Sequence, residues 1–243
     1  TRWGFLSEEP EDRRIVELVR AMDARGLGEA RTLFANSATT AARLARFNRL
    51  HATPLYPPPP LDGRYRQGEH GDFVLSVGRL DAIKRVDLLV EAVALAPRLR
   101  AVVAGDGPER SRLETLAGTL GVADRVTFAG RVDDERLLSL YADCACVCFA
   151  PFDEDFGYVT VEAFRCGKPV VAAADSGGVL ELVTDGESGL VAPRAEASEI
   201  ASRLERLLND AALSRRLGAA GRERVAGIAW DPVVEALLGR PRA

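Results

Sequence analysis

The sequence predicts an α/β protein built on a doubly wound parallel sheet, and three observations carry that prediction. Short apolar runs rich in Val and Ala recur from about Asp72 onward, at 73–77, 101–104, 126–129, 145–149, 170–173 and 189–192. Amphipathic stretches separate most of them, at 85–96, 109–120, 134–142, 158–166 and 179–183. A Gly-containing turn or polar residues follow each run. Strands that are apolar throughout and separated by helices belong to a parallel sheet buried on both faces. Six such strands complete one domain. Helical patterns continue at 197–208 and 211–225, and a last one follows Trp230-Asp231-Pro232.

The first 70 residues do not continue this alternation. They offer a helix at 10–25, a strand at 31–35 and a helix at 37–47, whose start Ser37 or Thr39 can cap. Pro54 and the run Pro57 to Pro60 then favour an extended, semi-rigid linker. One strand and two helices cannot close a sheet, so residues 1–53 read as the tail of a domain whose beginning is absent. The expected division is 1–53 for that remnant, 54–71 for the linker, 72–229 for the sheet domain and 230–243 for a C-terminal helix.

A chain of 243 residues with a net charge of −4 and no basic stripe argues against nucleic acid as a main partner. Of 32 basic residues only Lys84 and Lys168 are lysines. Cys144, Cys146 and Cys148 alternate along one strand, a poor geometry for mutual disulfides and unlike zinc-site spacing. With Cys166 they read as small core residues in a reducing compartment. No apolar run approaches the roughly 20 residues of a membrane helix, and no leader pattern is visible at Thr1. The expectation is a soluble, cytoplasmic protein, with peripheral membrane contact left open.

The chemistry concentrates in the loops that follow the strands, where ligands of open α/β sheets sit. After the first strand, Gly78-Arg79-Leu80-Asp81-Ala82-Ile83-Lys84 carries two cations five residues apart. It has neither the G-x-G-x-x-G of dinucleotide sites nor a P-loop. An Arg and a Lys at that edge can neutralise a departing diphosphate without a metal, although a solvated loop pair would look the same. After the fourth strand, Pro151-Phe-Asp-Glu-Asp-Phe-Gly-Tyr-Val-Thr-Val-Glu162 sets Glu154 at the strand end. Phe156-Gly157 turns the chain, and Glu162 falls in the first two turns of the next helix. That helix start aims free N–H groups at an anion. Gly130-Arg131-Val132 follows the third strand, where exposed backbone could meet a planar base. Gly105-Asp106-Gly107-Pro108 reads as a structural turn. Ser176-Gly177-Gly178 either admits a ligand or caps a helix.

Other readings stay open on these residues. Asp153-Glu154-Asp155 has the D-x-D form that holds Mg²⁺ or Mn²⁺ in one large class of sugar transferases. Glu154 and Glu162 could be the acid and nucleophile of a glycosidase, a chemistry that needs no phosphate-binding loop. His51 and His70, in or near the linker, read as solvent-facing.

Taken together, Gly78-Arg79-x4-Lys84, Gly105-Asp106-Gly107-Pro108, Glu154-x7-Glu162, Gly167-Lys168-Pro169-Val170-Val171-Ala172 and Ser176-Gly177-Gly178 resemble the donor-binding part of a retaining glycosyltransferase. The family is the fourth, also called glycosyl transferases group 1, with the GT-B fold and a Rossmann-like C-terminal domain. The likeness runs in consistent order over about residues 30–240. Two positions depart from the family pattern: Asp155, where Gly is common, and Leu180, where Pro often follows the Gly pair. The Glu-Asp-Phe-Gly form looks like a subset that includes mannosyltransferases acting on cell-surface polysaccharide.

The resemblance implies roles. Gly78, Arg79 and Lys84 would hold the donor diphosphate, and Arg131 and Val132 would lie by the base. Glu154 would take hydroxyls of the sugar and Glu162 those of the ribose. Backbone at Phe156, Gly157, Tyr158 and Val159 would meet a phosphate. Arg79, Lys84 and Glu154 are the residues implied in catalysis. No metal or other cofactor is implied, the donor being a UDP-sugar or GDP-mannose and the acceptor a carbohydrate or lipid-linked hydroxyl. Residues 1–53 would then belong to the acceptor domain and 230–243 to a helix returning toward it. Any membrane association would run through the missing part. The alternative, from another class, is a non-catalytic nucleotide-sugar-binding module.

Overall fold

The computed structural model describes residues 9–239. Residues 1–8 and 240–243, the ends of the first and last predicted segments, lie outside them. The chain divides into two compact units, the first ending at Tyr56 and the second starting at Pro57.

In the first unit, α1 (Pro10–Glu29) starts with Pro at its first turn, where a missing N–H costs nothing. Ile15, Leu18, Val19 and Met22 recur at helical spacing along α1 and are all exposed. Strand β1 (Phe34–Ala35) leads to α2 (Ala38–Arg43) and a π-helical turn, Leu44–Asn48. Ser37 is the cap: its hydroxyl accepts the Thr40 N–H at 3.0 Å. A short strand that the sequence pattern does not reveal, β2 (Thr53–Pro54), pairs parallel with β1. No apolar run marks it.

The second unit runs β3 (Val74–Val77), a 3₁₀ turn at Ala82–Lys84, α3 (Val86–Leu95), β4 (Ala101–Ala104), α4 (Arg110–Thr119), β5 (Val126–Gly130), α5 (Asp134–Asp143), β6 (Cys146–Cys148), α6 (Tyr158–Arg165), β7 (Val170–Ala173), a 3₁₀ turn at Gly178–Glu181, β8 (Gly189–Ala192), α7 (Ala197–Asn209), α8 (Ala211–Arg224) and α9 (Trp230–Leu237). All six strands of the sheet are parallel, in the order β5-β4-β3-β6-β7-β8. This is the predicted doubly wound arrangement. The winding reverses between β3 and β6. That point opens a crevice at the carboxyl ends of the strands.

Both faces of the sheet are covered. Every residue of β6 and β7 is buried, which is why these strands read as unbroken apolar runs. Leu89, Leu113, Ile200 and Leu204, from α3, α4 and α7, are sealed in one apolar cluster. Each contributes about 2 kcal/mol through burial. The four cysteines are buried and free. Burial raises the Cys144 and Cys148 thiols to about 12.

Residues 57–71, expected as linker, pack on the second unit. Arg64 pairs with Asp134 and Glu135, and the ammonium of Lys168 donates to the Glu69 carbonyl. Glycine makes this packing possible. A Cβ on Gly71 would lie 1.8 Å from the Asp143 oxygen, and one on Gly68 would lie 2.3 Å from that of Ala142. At the opposite edge, Gly105 adopts φ +139° and presses on β3, so that a Cβ there would sit 1.9 Å from the Gly78 oxygen. Gly105→Ala is therefore expected to destabilise the protein by roughly 2–3 kcal/mol, the scale of a strained backbone position. Urea unfolding of the variant against the wild type measures it.

Candidate functional site

The reversal between β3 and β6 brings the loop 78–84 beside the loop 150–157. Lys84 ends the 3₁₀ turn after β3, and its ammonium donates to Glu154 Oε2 across the crevice. The same ammonium lies 5.8 Å from the centre of the Phe149 ring. Arg79 is exposed and pairs with Asp81 at 3.1 Å. Gly78 adopts φ +145° and has open space where its Cβ would be. The two cations and Glu154 thus occupy one edge.

Backbone hydrogen bonds fix the Glu154 loop. The Phe152 N–H donates to the Ile83 carbonyl and the Asp153 N–H to that of Asp175, both at 2.9 Å. The Gly178 N–H donates to the Glu154 carbonyl at 2.7 Å. The sequence leaves Gly177 and Gly178 as either room for a ligand or a helix cap, and Gly177 stands at the cap of the 3₁₀ turn. Their room is filled by the chain itself: a Cβ on Gly178 would lie 2.0 Å from the Asp155 oxygen, and one on Gly177 would lie 2.5 Å from that of Glu154. Leu180 fits without difficulty, since its N–H donates to the Gly177 carbonyl at 3.0 Å, a bond that Pro could not make.

Beneath the loop lies Arg85, which sequence reasoning passed over. Its guanidinium is buried and donates to the Ala150 carbonyl at 2.8 Å, to that of Pro151 at 2.7 Å, and to both carboxylate oxygens of Asp175. This bidentate pair holds the Asp175 carboxyl below its ordinary range. The only advance signal is position: Arg85 directly follows Lys84.

Gly157, at φ +81°, turns the chain into α6. Phe156 is buried and meets the exposed Tyr158 edge-on, with centroids 5.4 Å apart. Val159 is buried. Glu162, in the second turn of α6, is also buried, and both its oxygens accept from tyrosines. The Tyr141 hydroxyl donates at 2.6 Å and that of Tyr65 at 3.2 Å. Neither tyrosine was anticipated, because one comes from α5 and the other from the segment before β3. Burial raises the Glu162 pKa, and the two donors oppose that rise. Since a carboxylate has about four acceptor positions, two remain for another donor. Gly130, at φ +68°, ends β5, leaving Arg131 exposed and Val132 half-buried. They stand two strands from β3, about 10 Å away at the spacing of a sheet.

Among the described residues no group of three or more His, Cys, Asp or Glu is placed to hold a metal ion. No helix among them is long and apolar enough to cross a membrane. His51 is exposed, but His70 departs from its expected solvent-facing place. Its Nε2 is buried without a partner, because the glycines at 68 and 71 draw the segment under α5.

A doubly wound sheet with charged and glycine-bearing loops converging at its switch point is a ligand-binding α/β architecture. The family model for glycosyl transferases group 1 matches residues 63–224. The chain belongs to this family. A D-inositol 3-phosphate glycosyltransferase of Stackebrandtia nassauensis is 39% identical over 175 residues, which cover 67% of this chain and 39% of that protein. Sucrose-phosphate synthase of Thermosynechococcus elongatus superposes with a TM-score of 0.82 at 29% identity, over 98% of this chain and 62% of that one. The Anabaena protein HepE, solved with UDP-glucose, gives a TM-score of 0.76 at 25% identity, over 86% and 64%. The chain therefore spans well under two thirds of the first of these relatives. Its architecture is shared with GT-B glycosyltransferases.

Asp175 titrates below its ordinary 3.8 in the folded state. Its contribution to stability is present above that value and is lost as pH falls through the lowered one. Asp175→Asn should flatten this part of the acid limb in unfolding curves taken across pH. For Glu162 the expected change is upward: Tyr141→Phe removes a donor to the carboxylate, and carbon-13 NMR of the carboxyl should show a higher pKa than in the wild type.

Proposed function

We propose that this chain is the donor-binding part of a retaining hexosyltransferase, which transfers a sugar from a nucleoside diphosphate to an acceptor hydroxyl. The observation that carries the reading is the Lys84–Glu154 pair across the switch point. A cation and a carboxylate side by side suit a ligand that is phosphate on one side and polyol on the other. A glycosidase would need the carboxylate but not the cation.

The roles follow from charge and reach. Lys84, joined by Arg79, takes the diphosphate and stabilises the negative charge that grows on it as the glycosidic bond breaks. Glu154 accepts hydroxyls of the sugar and fixes its orientation. Glu162 accepts from the ribose with the positions its tyrosines leave unused. The N–H groups at Gly157, Tyr158 and Val159, at the start of α6, face phosphate oxygens. Gly78 lets the ligand approach the backbone, Phe156 seats the turn, and Arg131 with Val132 borders the base.

Two cations do the work a metal would otherwise do, so transfer proceeds without one. The donor is a UDP-sugar or GDP-mannose. The Glu154-Asp155-Phe156-Gly157 form favours a mannosyltransferase-like role in cell-surface polysaccharide or glycolipid synthesis, with a carbohydrate or lipid-linked acceptor. The inositol-phosphate relatives match through the donor-binding part, so their acceptor is not carried over. Residues 1–53 belong to the acceptor domain.

Calorimetric titration of UDP, GDP and ADP in EDTA tests the reading. Binding of UDP or GDP is expected without divalent metal. Lys84→Ala and Glu162→Ala should each weaken it by roughly 1–3 kcal/mol, the worth of a charged hydrogen bond. Binding that appears only after Mg²⁺ is added would replace this reading with metal coordination by Asp153 and Asp155.

A further inference from the structure

A cavity of about 260 Å³ opens at the amino end of the sheet, away from Glu154. Its lining includes Ala145, directly before β6, and Lys168, two residues before β7. Strand β7, four residues long, separates this edge from the carboxyl edge by about 13 Å. The cavity is thus a different place from the crevice between β3 and β6.

Charge distinguishes it. Lys168 is 4% exposed, and its ammonium donates to the Glu69 carbonyl at 2.6 Å and to the Gly68 carbonyl at 3.5 Å. Among the described residues neither Lys168 nor Arg215, at the cavity rim, has a carboxylate within ion-pair distance. None of the residues lining the cavity is acidic. The His70 Nε2 is buried without a partner, and the nearby Leu208 backbone favours the protonated ring. Gln67 adds an amide at the rim. Buried positive charge without a counter-ion is costly and is relieved by an anion.

We propose that this cavity binds a compact oxyanion, the phosphate or carboxylate group of a small metabolite, through Lys168, Arg215 and the Nε2–H of a protonated His70. The volume lies just under the range of about 300–1,000 Å³ typical of small-molecule sites. That leaves room for one oxyanion group on a short carbon skeleton and excludes a whole nucleotide-sugar. Burial foremost, with the fields of Lys168 and Arg215, holds the His70 pKa down, and the Leu208 backbone opposes them. For Lys168, burial acts downward, and Cys144, Cys166 and Asp143 oppose it. An anion reverses the balance at His70, so binding takes up a proton.

The chain has two histidines, so imidazole NMR reads His70 directly, with exposed His51 as the internal control and His70→Gln for assignment. Inorganic phosphate, titrated at constant ionic strength with chloride, is expected to shift the His70 ring in a saturable way. It should raise the apparent His70 pKa by about one unit, the scale of one close opposite charge. Acetate, titrated the same way, separates carboxylate from phosphate preference. Arg215→Gln, at an exposed position, should weaken saturation at least several-fold while leaving the fold intact. Lys168→Met, checked by circular dichroism, should abolish it. Three outcomes would overturn the proposal: a His70 ring that neither anion moves before His51 moves; a response unchanged in Arg215→Gln; or an unchanged response in folded Lys168→Met.

Discussion

The guanidinium of Arg85, buried under the switch point, is the contact on which the carboxyl edge depends. It satisfies two carbonyls of the chain leaving β6 and the carboxylate of Asp175, which follows β7. Without it, the Ala150 and Pro151 carbonyls would be buried unpaired, and each such group costs about 1–3 kcal/mol. Arg85 also sits in the left-handed region at φ +52°, where the 3₁₀ turn bearing Lys84 passes into α3. One residue therefore sets the angle of the first loop and the position of the second. The meeting of Lys84 with Glu154 follows from it.

Sheet order explains why these loops are neighbours at all. The chain runs outward from β3 to β5 and then returns to place β6 on the other side of β3. Residues 70 positions apart thereby share one crevice. The glycines at 177 and 178 close the third side by letting two backbones touch. A Gly pair that the sequence leaves as either ligand room or a helix cap acts as a seam between two stretches of backbone. Rigidity of this kind suits a site that must hold a ligand in one orientation.

Glu162 shows how burial and hydrogen bonding set a carboxylate's role. Desolvation favours its neutral form, and the hydroxyls of Tyr141 and Tyr65 favour the charged one. The net direction is upward, and both carboxylate oxygens already accept from hydroxyls. The amino edge is arranged differently: there Lys168 is buried among carbonyls and thiols without a carboxylate in contact. The two lysines thus differ in setting: Lys84 meets a carboxylate and Lys168 does not.

Much of this was written in local pattern. The runs at 101–104, 170–173 and 189–192 became strands with the same bounds, because a strand buried on both faces must be apolar at every position. The spacing of Glu154 and Glu162, and the cations at Arg79 and Lys84, marked the loops that meet at the crevice. Three things were decided only by the tertiary structure. Arg85, Tyr65 and Tyr141 act on partners 21 to 97 positions away, and no local period records such contacts. The glycines at 68, 71, 177 and 178 are required by backbones that approach from elsewhere in the chain. Lys168 and His70 became neighbours because the segment before β3 is drawn under α5. Sequence by itself determined which residues prefer a strand, a turn or a helix start. Which polar groups face one another, and which stay unpaired, depended on packing, since that is set by the path of the whole chain.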